Sequence, residues 1–180
     1  MRSEAILAAL RDFGSKLAAT SGPEMPWRAL QNLAAEILGF RLFTITAVDA
    51  EAAVARRLYT NMPDAYPVAG TKPIQESPWS QHVIVERQTF VMNTNEEIAS
   101  HFFDHELIRS LGCGSCVNMP VVLAGTVIGT LNLLDAEHHF TPEKLALLNH
   151  LQLPALTAFA VWNSTQAGKG RSPGDSHAQN

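Results

Sequence analysis

The chain has 180 residues, 46% of them apolar and only 17% charged, with a net charge of −4. That length and apolar content suit one domain with a full core and remove any need for a disulfide framework. A mildly acidic chain without a basic cluster is a poor nucleic-acid binder, so no nucleic-acid partner is expected. Charged content below the roughly 25% of ordinary soluble chains points to extra buried surface, in a ligand cavity or an oligomer interface.

Residues 3 to about 19 read as a helix, with Ser3 as N-cap and Ile6, Leu7, Leu10, Phe13 and Leu17 on one stripe. Ser21-Gly22-Pro23 interrupts it. A second helix runs from about Pro26 to Leu38, with Leu30, Leu33, Ala34 and Ile37 on its apolar face and Gly39 as the stop. The period then changes. Arg41 to Val48 alternates and is rich in Phe, Ile and Thr, as a strand should be, and Ala53 to Thr60 can return beside it.

Asn61 to Pro78 contains five prolines or glycines at 63, 67, 70, 73 and 78 and reads as a long loop. Pro78 to Glu86 reads as a short helix started by Ser77, Thr89 to Met92 as a short strand, and Thr94 to Leu111 as one or two helices. Ser110 to Leu134 is free of charge and long enough for a bilayer. Its glycines, Asn118, Pro120 and Asn132 instead predict two buried strands, Ser115 to Val122 and Thr126 to Leu134, joined by Leu123-Ala124-Gly125. No membrane association is expected. Thr141-Pro142 starts a last helix that reaches about Trp162, with a kink expected at Pro154. Residues 164–180 are polar and read as a disordered tail after a domain spanning 1–163.

This order predicts an α+β fold, an antiparallel sheet with the N- and C-terminal helices on one face and loops and short helices enclosing a pocket on the other. From Met119 the chain carries Pro120, Gly125, Ile128-Gly129, Leu131, Phe140-Thr141 and Leu147-Leu148. This string resembles the C-terminal half of a GAF domain, a fold related to PAS domains. The resemblance is good over about 45 residues and extends in element order over residues 5 to 163. It implies a small-molecule sensor fold, whose members include nucleotide-binding, tetrapyrrole-binding and merely dimerising examples. Fold does not choose among them.

Residues expected to enclose the pocket are Trp79, His82, Asn93, Phe102, His105, Ser115 and Asn118, an aromatic wall with a few amide, hydroxyl and imidazole groups. Cys113 and Cys116 form a Cys-x-x-Cys pair that can pack as small apolar groups, act in redox chemistry, or join His101 and His105 as metal ligands. One GAF branch reduces free methionine sulfoxide with cysteines around its pocket. The match to it is partial, because that branch usually has three, more widely spaced. The two cysteines here are expected to be reduced, metal-free and dispensable for folding.

The opening Met1-Arg2-Ser3-Glu4 carries an acid early with no long apolar core behind it. No export signal is therefore expected, and the expected location is the cytoplasm. The leading functional expectation is a stand-alone, non-catalytic sensory domain that binds an unidentified small molecule, with no catalytic residue, metal or cofactor assigned. A thiol-based reductase of a small sulfoxide is the first alternative and a ligand-free dimerisation module the second. The last helix carries apolar groups on more than one face (Leu145, Leu148, Leu151, Phe159 and Trp162, with Leu147, Leu153 and Leu156 beside them), and the first helix has a similar excess. A homodimer through the terminal helices is expected, the alternative being that these helices cover each other within one chain.

Overall fold

Alternation in the strands decides the layering, because successive side chains leave opposite faces of a sheet. The computed structural model describes residues 2–19, 22–68 and 70–169. Two helices come first, α1 (Arg2–Ala18) and α2 (Met25–Ile37). Then come β1 (Leu42–Asp49), β2 (Val54–Thr60) and β3 (Thr71–Pro73). A short α3 (Pro78–Ser80) runs into a π-helical turn over Gln81–Val85, and β4 (Phe90–Met92), α4 (Asn95–His101) and α5 (His105–Ser110) follow. The chain closes with β5 (Ser115–Leu123), β6 (Thr126–Asp135), α6 (Pro142–Leu145), a 3₁₀ turn over Ala146–Leu148 and α7 (Asn149–Lys169). The six strands form one antiparallel sheet in the order β3-β2-β1-β6-β5-β4.

Phe43 and Ile45 of β1, Val117 and Met119 of β5, and Leu131 and Leu133 of β6 point to one face and are buried. Against them lie Trp27, Leu30, Leu33, Ala34 and Ile37 of α2 and Leu151, Ala155, Ala158 and Phe159 of α7. Trp27 meets Phe159 edge-on at 4.9 Å, the geometry that ring quadrupoles favour. Leu42, Met92, Ile98, Ile108, Cys113, Cys116 and Leu134 make a smaller apolar cluster on the opposite face. The charge-free stretch is thus the β5–β6 hairpin. Ala124 (φ 49°) and Gly125 (φ 80°) make its turn, both left-handed as a type I′ turn requires.

Caps fix the helices that cover the second face. The Thr94 side chain accepts from the Glu97 amide while the Glu97 carboxylate accepts from the Thr94 amide, a complete capping box. Gly39 (φ 70°) stops α2 where a stop was expected. Four details differ from the sequence reading. Thr71–Pro73 pairs with β2 as an edge strand inside the expected loop. The expected helix from Pro78 is mostly a π turn. The first helix begins at Arg2, so Ser3 lies inside it instead of capping it, whereas the two helices found within 94–111 agree with the reading. The last helix continues through Pro154 to Lys169, beyond the expected end near Trp162. Ser21 and 170–180, the rest of the expected tail, lie outside the described residues.

Pro142–Gln166 is long and apolar enough by composition to cross a membrane, with a mean hydropathy of 1.3. Its Leu148, Leu151, Ala155, Ala158 and Phe159 are buried against the sheet. A core helix passes the same compositional test. Most of the apolar excess noted on the terminal helices is thereby covered within one chain, Phe13 included, whereas Leu7 (54% exposed) and Leu153 (70%) are not.

Gly129 sits where α7 touches the sheet. A β-carbon there would collide with the Phe159 ring and stand 2.5 Å from the Thr46 carbonyl oxygen. Overpacking at so tight a point costs about 1–3 kcal/mol. Gly129→Ala is expected to lower the melting temperature by roughly 3–10 °C, read by thermal denaturation; an unchanged midpoint would show that the helix layer yields there.

Candidate functional site

The face of the sheet away from α2 and α7 is built from the other half of each strand. Register places three rows across it. Leu42, Leu134, Cys116 and Met92 form an apolar row; Thr44, Asn132, Asn118 and Phe90 form the next; Thr46, Thr130 and Pro120 form the third. Asn132 (8% exposed), Asn118 (5%) and Thr44 (3%) are buried, so their polar atoms must be paired within the protein. They are. Asn118 Nδ2 donates to Asn132 Oδ1 at 2.8 Å, and Asn132 Nδ2 donates to Thr44 Oγ1 at 3.1 Å and Thr46 Oγ1 at 3.3 Å. Trp79 Nε1 closes the chain by donating to Asn118 Oδ1 at 3.0 Å.

Above this floor lies a cavity of about 140 Å³. Its lid is Tyr66, Trp79, Phe102 and Ile108; its floor is Thr44, Thr46, Cys116, Asn118, Thr130, Asn132 and Leu134; Arg57 enters from β2. It is close in volume to a cavity that holds one benzene, and it has room for several waters. Arg57 Nη1 donates to the Pro67 carbonyl at 2.6 Å, while its Nε is buried without a partner. The guanidinium lies 3.8 Å from the Tyr66 ring centre, a cation–π contact. The Tyr66 hydroxyl donates to Asp104 Oδ2 at 2.5 Å. Burial and that bond push the phenol's pKa well up, so it remains a neutral donor.

Of the residues singled out from sequence, Trp79, Phe102, Cys116 and Asn118 line this cavity. The others do not. His82 Nε2 contacts the Thr89 carbonyl, its Nδ1 faces Glu86 and its ring packs edge-on against Phe90, beside the cavity lining. Asn93 Nδ2 donates to the Phe140 carbonyl, and Ser115 Oγ donates to the Ala136 carbonyl, so both brace the chain near the end of β6. His105 opens α5 outside the cavity. Cys113 is buried in the small apolar cluster. Sequence reasoning missed Thr44, Thr46, Thr130 and Asn132, although polar residues at every second position of otherwise apolar strands were the signal. It also missed Arg57 and Tyr66.

The cysteines are unpaired, with Cys113 2% and Cys116 1% exposed. Burial, helped by Asp135, pushes the Cys113 thiol up to about 11, and burial pushes Cys116 up as well. Both are therefore thiols at neutral pH, where a nucleophile or metal ligand must be a thiolate. His101 Nδ1 is occupied by Ser100 and the Glu97 carbonyl, on the exposed side of α4. Among the described residues no three His, Cys, Asp or Glu side chains are grouped to hold a metal ion.

A folded-state thiol pKa raised above its usual 9.0 means that the associated stability is full below pH 9.0 and is lost as pH rises towards 11. The urea midpoint is expected to fall over that window, and the double variant Cys113→Ala, Cys116→Ala should flatten the decline. Identical slopes in the two proteins would contradict the buried-thiol assignment.

Comparison with known proteins places this geometry. The family model for the GAF domain matches residues 27–153. A comparison with curated proteins finds no match. The fold matches the GAF domain of a phosphoenolpyruvate-protein phosphotransferase from Coxiella burnetii, with a TM-score of 0.68 and 16% identity over 93% of this chain and 98% of that one. It matches the GAF domain of a two-component sensor histidine kinase from Bacillus halodurans (0.65, 14%, 83% and 99%). It also matches the free methionine-R-sulfoxide reductase from Neisseria meningitidis, solved with its substrate (0.63, 15%, 91% and 91%). With the six-stranded sheet, its helical layer and the matched family model covering most of the chain, the protein belongs to the GAF domain family.

Proposed function

We propose that the protein is a non-catalytic sensory domain that binds a small molecule in the cavity over Asn118 and Asn132. The observation that supports it most is the cavity's floor, a buried row of amides and hydroxyls whose mutual hydrogen bonds hold it open and polar instead of collapsed and apolar. At about 140 Å³ the cavity lies well below the roughly 300–1,000 Å³ of drug-sized sites, so its ligand is small and a nucleotide or tetrapyrrole does not fit this conformation.

Native mass spectrometry of freshly purified protein is expected to show one bound low-mass molecule, released on denaturation and missing from Thr130→Trp, which fills the cavity. An adduct retained by the filled variant would place the ligand elsewhere. The sulfoxide-reductase reading draws on the Neisseria meningitidis fold match and on Cys116 in the cavity wall. Turnover of free methionine sulfoxide with dithiothreitol, abolished in Cys116→Ser, would replace the binding reading.

The signalling unit in this proposal is a cytoplasmic homodimer through the terminal helices. Leu7 and Leu153 supply its uncovered apolar surface. Leu153→Glu tests the contact without disturbing the core, whereas Trp162 packs on Trp27 at 5.9 Å and is not a clean probe. Sedimentation at micromolar concentration is expected to give a dimer for the parent chain and a monomer for Leu153→Glu; a monomeric parent would end the proposal.

A further inference from the structure

Regular antiparallel pairing would not deliver Arg57 to the cavity. β1 and β2 pair Thr44 with Thr60 and Ile45 with Tyr59, which would next set Leu58 opposite Thr46. A bulge intervenes at that step, and Arg57 stands opposite Thr46 instead. The extra residue, Leu58, packs against the main core. Bulges re-aim side chains in this way, and they concentrate beside functional sites. Here the swap replaces a leucine by a guanidinium in the cavity wall.

That guanidinium is short of partners. One Nη1 proton serves Pro67, Nε is buried and unpartnered, and among the described residues no carboxylate pairs with it. Asp104, the acid nearest in this network, accepts from Tyr66. An adjoining space of about 80 Å³ shares Thr46 and Arg57 and adds Lys72 to the lining. No acidic residue lines either space. The opposite end of the cavity is apolar, with Leu134, Cys116, Ile108 and Phe102. Along the strand direction the wall thus runs from apolar, through the Asn118–Asn132 amides, to cationic.

We propose that the cavity takes a small organic carboxylate, its carboxylate bound by Arg57 beside Thr46 and Thr130 and its apolar body against Leu134, Ile108 and Phe102. This rests on the ligand-binding reading above and names the ligand's chemistry. A planar guanidinium matches a planar carboxylate through paired N–H donors, and the Nη2 donors of Arg57 have no hydrogen-bond partner among the described residues. The apolar end selects an organic acid over an inorganic anion.

Calorimetric titration of the full chain at pH 7 with acetate, butyrate and benzoate, each against its neutral amide, tests this. One-to-one binding of butyrate or benzoate is expected, with the amide at least about 10-fold weaker and Arg57→Gln costing about 10- to 100-fold. Arg57→Lys should retain part of the affinity. If Arg57→Gln does not fold, the acid-to-amide contrast on the parent chain still decides. Amides that bind as tightly as acids, or acids indifferent to Arg57→Gln, would overturn the carboxylate while leaving a ligand-binding cavity. Nitrate or phosphate binding as tightly as butyrate would overturn the organic ligand. If none of the acids, amides or inorganic anions binds, the carboxylate proposal fails; if native mass spectrometry also finds no adduct, the ligand-binding reading fails with it.

Discussion

A buried amide in the middle of a sheet has to be satisfied by its neighbours, and Asn132 is such an amide. Its strand, β6, lies between β1 and β5, so the only partners within reach are the side chains that register sets beside it. Asn118 on one side and Thr44 with Thr46 on the other meet that demand. A one-residue slip of β1 or β5 would turn those partners to the other face and leave the amide unpaired, at a cost of about 1–3 kcal/mol. The polar row therefore fixes the alignment of the three central strands, and with it the face that carries the cavity. The same slip would turn Phe43 and Ile45 of β1, or Val117 and Met119 of β5, out of the core, so core and cavity enforce one register.

The lid follows from this floor. Trp79 is anchored through its indole nitrogen to Asn118, which sets where α3 and the π turn lie over the sheet. On the other side, Tyr66 reaches across to Asp104 at the start of α5, holding the loop after β2 against the helices that follow β4. Elements far apart in sequence are thus pinned by single hydrogen bonds around one small space.

The strands and the helix layer were legible because their signals are periodic. Residues 115–134 alternate about a glycine turn, and α2 and α7 carry apolar residues at helical spacing. The short edge strand Thr71–Pro73 was not legible, since three exposed residues among prolines carry no alternation. At the site, Trp79, Phe102, Cys116 and Asn118 could be picked by residue type and expected element. His82, Asn93 and Ser115 were picked on the same grounds, but their polar atoms go to backbone carbonyls, a choice that depends on chain path. Arg57 was hidden for a different reason. Strict alternation assigns it to the wrong face, and a bulge depends on how two strands pair, which neither strand displays alone.

The glycine at position 129 leaves the sheet one backbone thick between α7 and the cavity. Phe159 lies against it on one side, and the Thr46 carbonyl of the neighbouring strand is immediately beside it. No side chain there can shorten or lengthen to absorb a change in the floor. Any enlargement of the cavity has to come from the loop that carries Tyr66 and the break between α4 and α5 that carries Phe102. The wall next to α7 is closed to remodelling, and variation in what the cavity accommodates is confined to its roof.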